Sequence, residues 1–258
     1  MTARLAIVTG GAGDIGRAIA SRLARDHDHV ILADLDEAAA RRAARALGDG
    51  FTALPVDVTD ADSCAVLAAT VATFGDLATL VNNAGAARAG SLAATSVADW
   101  QADRALNLDA AFVMFHAVAG QLIAARGSVV NVASVNGMGV YGHPAYAAAK
   151  AGMIHLTRLI AVEYGQYGVR ANAVAPGTVA TQGWSARATA NPAVFEEAAR
   201  HYALGRIVQP VDVAEAVGFL ASPLAAAITG VCLPVDCGLT AGIPALAATF
   251  SQSPDYTA

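Results

Sequence analysis

The sequence predicts an α/β fold: a doubly wound, mostly parallel sheet of seven strands with helices on both faces. Three observations carry that expectation. Short apolar runs alternate with longer helical patterns along the whole chain. The short runs are apolar at successive positions, which marks strands buried on both faces by covering helices. A glycine-rich turn, Thr9-Gly10-Gly11-Ala12-Gly13-Asp14-Ile15-Gly16, joins the first apolar run to the first helical one.

Strands are expected at 5–9, 30–33, 51–56, 79–81, 128–133, 170–174 and 231–235, each an apolar run of strand length. Helices are expected at 15–25, 37–47, 61–74, 97–125, 145–164 and 211–220. Sheets of this kind bind ligands at the carboxyl ends of their strands, where the strand order reverses. Attention therefore falls on the residues that follow each strand.

The chain has 258 residues, 55% hydrophobic and 14% charged, which suits one domain over 1–258 with an ample core. A net charge of -5 gives no electrostatic case for nucleic acid or an anionic membrane. No apolar run is expected to span a bilayer, and the N-terminus enters a strand pattern directly, so a cytoplasmic location is expected. Cys64, Cys232 and Cys237 form no CxxC and read as reduced thiols. A metal site from Cys232, Cys237 and a histidine is poorly spaced, and none is expected.

The glycine turn lets the backbone approach a pyrophosphate at a helix N-terminus, the Rossmann-type arrangement; the alternative is an ordinary tight turn. Gly10, Asp14, Ile15 and Gly16 are the candidate contacts. Asp34 ends the second strand, 18 residues after Gly16. A carboxylate there accepts from the ribose hydroxyls and repels a 2'-phosphate, which favours NAD over NADP. No basic residue is placed to hold that phosphate. The alternative is that Asp34 or Asp36 caps the next helix. Asp57 and Val58 follow the third strand, where the carboxylate either meets an adenine amino group or caps the helix near Ala61. Asn83, Ala84 and Gly85 end the fourth strand, either as a turn or as small residues leaving room for the adenosine half, with an asparagine amide tying strands together.

Tyr146 and Lys150 share one face of a helix beginning after Pro144. A free tyrosine, with a pKa of about 10, is a poor acid-base group at neutral pH, and a nearby lysine cation is expected to lower it. The pair then works as a general acid/base, with the Ser134 hydroxyl donating to a substrate oxygen. The alternative is a solvated helix face. Pro176 and Gly177 turn the chain after the sixth strand, a structural task by default.

Taken together, these residues resemble the short-chain dehydrogenase/reductase family over nearly the whole chain, from Leu5 to about Gly242. The likeness lies in order and spacing: a TGxxxxIG turn, Asp34, the NNAG strand end, Asn107, Ser134, the YxxxK pair and Pro176-Gly177. It implies that Ser134, Tyr146 and Lys150 are catalytic and that Asn107 completes a proton relay by holding a water. Without the likeness, Asn107 is a helix polar group bonding a carbonyl. Lys150 is further implied to bond the nicotinamide ribose, and the backbone near Val179 and the Thr181 hydroxyl to meet the carboxamide. A homotetramer is implied, with two apolar helices, 97–125 and 145–164, between subunits. Asp14 departs from the family's TGxxxGxG turn, and it is expected to cap its helix. The segment from Ser134 to Tyr146 is one residue shorter than the commonest pattern.

The segment 182–205 breaks the strand-helix rhythm and reads as a substrate lid. Trp184 and Tyr202 would pack over the substrate or anchor the segment's own helix. Asn136, Val140 and His143 are the other candidate substrate residues; a solvated loop is the alternative for His143. The polar candidates Asn136, His143 and Gln182 favour a sugar, polyol or other polar alcohol. The tail 246–258 is an arm over a neighbouring subunit or frayed. The expected activity is interconversion of a secondary alcohol and its ketone with NAD. The alternatives are an NADPH-dependent carbonyl or 3-oxoacyl reductase and an idle NAD-binding sensor or scaffold.

Overall fold

The computed structural model describes residues 2–184 and 189–256. Seven strands form one sheet: β1 (Arg4–Thr9), β2 (His29–Asp34), β3 (Phe51–Pro55), β4 (Asp76–Asn82), β5 (Ser128–Val132), β6 (Arg170–Pro176) and β7 (Cys232–Val235). The strand order is β3-β2-β1-β4-β5-β6-β7, and every pairing is parallel. The expected sheet is therefore present, and wholly parallel. The order reverses between β1 and β4, which opens a crevice above their carboxyl ends.

Among the described residues, the helices are α1 (Asp14–Leu23), α2 (Glu37–Leu47), α3 (Ala61–Val71), α4 (Val97–Arg104), α5 (Ala110–Ala125), α6 (Pro144–Tyr164), α7 (Val194–Ala199), α8 (Pro210–Ala221) and α9 (Pro244–Ser251). Leu5, Ile7, Leu77, Leu80 and Val129 pack with Met114, Phe115 and Val118 of α5 on one sheet face. Val8, Leu32, Val81 and Val174 pack with Ile19 of α1 and Val213 and Val217 of α8 on the other. Each fully buried Leu or Ile contributes about 1.5–3 kcal/mol. This two-sided burial explains why the strands show no polar alternation.

Two carboxylates do the capping that the sequence left open. Asp36 accepts from the Ala39 amide at 2.8 Å and caps α2, which leaves Asp34 free of that task. Asp60, not Asp57, caps α3 by accepting from the Asp62 amide. Asp14 does not cap α1. The N-cap is Gly13, and Asp14 is the first helical residue, where its carboxylate pairs with Arg17 and accepts from the Gln182 amide at 2.6 Å.

The stretch Val97–Ala125 is long and apolar enough, by length and composition, to cross a membrane, contrary to the sequence reading. In the fold it packs beside α3, α6 and β4 and carries the buried polar residues Asp103 and Asn107. It is also not one regular helix. A π-helical turn, Ala105–Asp109, separates α4 from α5, and the Ala110 amide donates to Ala105, five residues back.

Candidate active site

The carboxyl ends of β1, β2, β4, β5 and β6 surround a cleft in two continuous parts. The first, about 410 Å³, is lined by Gly10, Asp14, Ile15, Gly16, Asp34, Asn83, Ala84, Gly85 and Thr181, with Arg17 and Gln182 beside them. The second, about 890 Å³, is lined by Ser134, Asn136, His143, Tyr146, Lys150, Pro176, Gly177, Val179 and Tyr202. Ile15, Asn83, Gly85 and Thr181 border both.

The first part is built around the glycine turn. A Cβ on Gly16 would stand 2.2 Å from the Gly10 carbonyl oxygen, so only glycine lets α1 fold back tightly on the turn. Asn83 binds this turn to β4, donating to the carbonyls of Thr9 at 2.9 Å and Gly10 at 3.2 Å. The Asp34 carboxylate accepts from the Ala12 amide at 2.9 Å and fixes the turn from the β2 side. Arg17 is a basic residue that the sequence reading did not consider. It lines this part of the cleft, but its guanidinium is paired with Asp14.

The second part holds the acid-base candidates. Ser134 lies just beyond β5 and accepts from the Asn136 amide at 3.2 Å. α6 begins with Pro144 in its first turn and brings Tyr146 and Lys150 to one face. Lys150 is 2% exposed, and its Nζ donates to the Val132 carbonyl at 2.8 Å. Burial in surroundings without a counter-charge pushes its ammonium down to about 7. Burial raises the Tyr146 phenol, and a hydrogen bond with Ser134 opposes that rise. The expected lowering of Tyr146 by Lys150 is thus not found. The ammonium is committed to a carbonyl, lies 5.5 Å from the ring centroid, and is itself disfavoured by burial.

Asn107 is fully buried in the π turn. Its Nδ2 donates to the carbonyls of Ala86 at 2.7 Å and Asp103 at 2.9 Å. Its Oδ1 has no hydrogen-bond partner among the described residues. The plain role of bonding carbonyls is therefore real, but it uses only half of the amide. The other half is an acceptor beside Gly85 and Lys150.

Of the other predicted residues, Asp57, Val58 and Val140 fall outside the cleft. Asp57 holds the Thr59 amide and hydroxyl, which lowers its own pKa, and it lines neither part. Val58 is buried in the core. Val140 is 97% exposed and lines neither part, because the loop turns it outward. Trp184 ends a short 3-10 turn, and its side chain lies outside what the structure describes, as do residues 185–188 of the expected lid. Tyr202 is an anchor: its hydroxyl accepts from the Thr178 amide at 2.8 Å, under the Pro176-Gly177 turn.

Sequence reading missed Tyr141 and His201, which reach the cleft from irregular segments, and the Arg88–Asp103 pair. Asp103 is 1% exposed and holds both the backbone amide and the guanidinium of Arg88. The one available signal was its place four residues before Asn107, on the same helix face.

The residues present fit a nicotinamide dinucleotide. The close-packed glycine turn leaves backbone room at the start of α1, a carboxylate stands at the end of β2, and an unpartnered buried oxygen waits beside Lys150.

Comparison with known proteins agrees. A family model described as enoyl-(acyl carrier protein) reductase matches residues 10–240. The chain is 41% identical to 2-(S)-hydroxypropyl-CoM dehydrogenase 3 of Xanthobacter autotrophicus, across 91% of this chain and 95% of that one. It superposes with a TM-score of 0.92 on a solved oxidoreductase of the short chain dehydrogenase/reductase family from Burkholderia thailandensis. That protein is 43% identical, with 98% of this chain and 99% of the other covered. A protein from Beutenbergia cavernae assigned as an NAD(P)-dependent gluconate 5-dehydrogenase gives a TM-score of 0.85 at 34% identity. There 93% of this chain and 97% of the other are covered, and NADP is bound at low occupancy.

Proposed function

Since the chain belongs to the short-chain dehydrogenase/reductase family and is an NAD(P)-dependent oxidoreductase acting on CH–OH groups, we propose that it interconverts a polar secondary alcohol, a polyol or sugar foremost, with its ketone, using NAD and with Tyr146 as general acid/base. The observation that carries this reading is the convergence of Ser134, Tyr146 and Lys150 on one cleft, with the free oxygen of Asn107 beside them.

A bound nicotinamide supplies the hydride acceptor in oxidation and the hydride donor in reduction. The chain's residues supply the rest. In oxidation Ser134 donates to the substrate oxygen and holds it near Tyr146. Tyr146, as the phenolate, takes the hydroxyl proton and becomes the phenol; in reduction the phenol gives that proton to the substrate oxygen. Lys150, whose cation burial disfavours, exchanges that proton with a water that donates to Asn107 Oδ1. The glycine turn and the start of α1 receive the pyrophosphate, and Asp34 receives the adenosine ribose. Thr181 and the backbone at Val179 hold the carboxamide end.

NAD is favoured because Asp34 is a carboxylate and Arg17, the cation lining that part of the cleft, is neutralised by Asp14. The NADP-dependent reading draws on the same Arg17, were it released, and on the neighbour that holds NADP. The helices α5 and α6 leave Phe112, Leu159 and Val162 exposed, which supports assembly as a homotetramer. A cytoplasmic location accords with three free cysteines.

The test is formation of reduced nicotinamide from a panel of polyols, sugars, simple secondary alcohols and hydroxy acids, with NAD and with NADP. Tyr146→Phe serves as control and is expected to lose roughly a hundredfold or more of rate while still binding NAD. Full activity in that variant would refute the acid-base assignment. Silence across the panel with NAD still bound would favour a sensor or scaffold.

A further inference from the structure

His143 is held in a left-handed backbone conformation, with φ of 53°. A residue of this kind, other than glycine, costs on the order of 1 kcal/mol in such a position, and it persists only where its surroundings fix it. Here the segment after β4 fixes it. The His143 amide donates to the Gly90 carbonyl at 3.3 Å, and ring atom Nδ1 lies 3.1 Å from the Ala89 carbonyl oxygen.

That second contact decides what the ring offers the cleft. A carbonyl oxygen can only accept, so the proton of the neutral imidazole sits on Nδ1. Nε2 is then a lone pair, an acceptor. Asn136, on the same wall, spends one amide hydrogen on the Gly142 carbonyl at 2.9 Å and keeps its oxygen. Among the described residues, the substrate part of the cleft is lined by no aspartate, glutamate or arginine, and its lysine, Lys150, is tied to Val132. A carboxylate, sulfonate or phosphate on the substrate finds no free arginine or lysine among the described lining residues. A hydroxyl finds an acceptor whose tautomer is already set.

We propose that His143 is a specificity-determining residue that accepts a hydrogen bond from a second hydroxyl of the substrate, so that the alcohol oxidised is a diol or polyol rather than a hydroxy acid or a simple secondary alcohol. This rests on the dehydrogenase reading given above. It adds the residue that reads the substrate and the polarity with which it reads it. No bond is made or broken at His143; it orients the substrate while the proton moves through Tyr146.

The experiment compares 2,3-butanediol with 2-butanol, which differ by one hydroxyl, and with 3-hydroxybutyrate, which carries a carboxylate. Assays run at about pH 9 on wild type, His143→Gly and His143→Asn. Glycine accepts the left-handed backbone but has no acceptor; asparagine tolerates the backbone and retains a side-chain oxygen. The readout is the ratio of kcat/KM between diol and mono-alcohol, which a general folding defect does not move. Wild type is expected to favour the diol at least tenfold, as for a site with a polar group dedicated to a substrate hydroxyl. His143→Gly is expected to bring the ratio close to one, and His143→Asn to keep part of it. A wild-type ratio near one, a preference for 3-hydroxybutyrate, or a ratio that survives in His143→Gly overturns the assignment. Absence of turnover with any alcohol and either cofactor overturns the dehydrogenase reading and this inference together.

Discussion

The side-chain oxygen of Asn107 faces Gly85 so closely that a methyl group added to that glycine would stand 2.7 Å from it. The same added carbon would lie 3.4 Å from Lys150 Nζ. The glycine just beyond β4 is therefore the floor of a small polar chamber shared by the amide and the ammonium. Its lack of a side chain keeps the Asn107 oxygen reachable.

Gly85→Ala is expected to close that chamber. The fold should survive, since Gly85 does not need a positive φ. The rate should fall at least tenfold, because Asn107 must move and the proton path at Lys150 is obstructed. Comparison of kcat and thermal unfolding for the two proteins checks this. Unchanged kcat would mean that the chamber takes no part in turnover.

Lys150 sets a second expectation, on stability. Its folded pKa of about 7 lies far below the value of about 10.4 expected for an unfolded chain. Between those values the unfolded state binds more protons, so the lysine's contribution to stability rises with pH across that window. Below pH 7 the folded protein carries the full cost of a buried cation. Lys150→Met is therefore expected to raise the melting temperature of the cofactor-free protein by a few degrees at pH 7, with a smaller gain near pH 10. An equal gain at both values would show that packing, rather than charge burial, is responsible. The same variant should be inactive, as catalytic groups are often held at a cost to stability.

Asp34 has two tasks that substitution separates. Asp34→Asn keeps an oxygen for the Ala12 amide, 2.9 Å away, but loses the charge. The preference for NAD over NADP, as a ratio of kcat/KM, is expected to fall about tenfold or more, with little change in melting temperature. A preserved ratio would leave Asp34 as a support of the glycine turn alone.

The sheet was legible because its central strands are apolar runs buried on both faces, and the sequence limits of α2 match the structure. Ser134, Tyr146, Lys150 and the glycine turn were legible by spacing. Capping was harder to read, since the chain offers an aspartate at 34 and 36, and again at 57 and 60; only backbone geometry decides which one meets a free amide. The electrostatics of Tyr146 were misread because sequence spacing gives proximity to Lys150 but not the Val132 carbonyl that claims the ammonium. Tyr141 and His201 come from segments with no periodicity. Helix α9 buries none of its residues, so it left no apolar face in the pattern.

The π turn at Ala105–Asp109 has a consequence for how this protein tolerates change. Each helical residue advances the side-chain direction by about 100°, and the extra residue of a wider turn shifts the phase of everything before it relative to everything after. The phase of α4 is thereby set by Arg88 and α6, and that of α5 by the sheet, with Asn107 at the joint. Deleting one residue from the joint would make a more regular helix and a blind one: the sheet-facing half would stay in place while Asp103 and Trp100 swung to a different side. Length, and not only identity, is constrained between Trp100 and Ala110, and alanine scanning alone would miss that constraint.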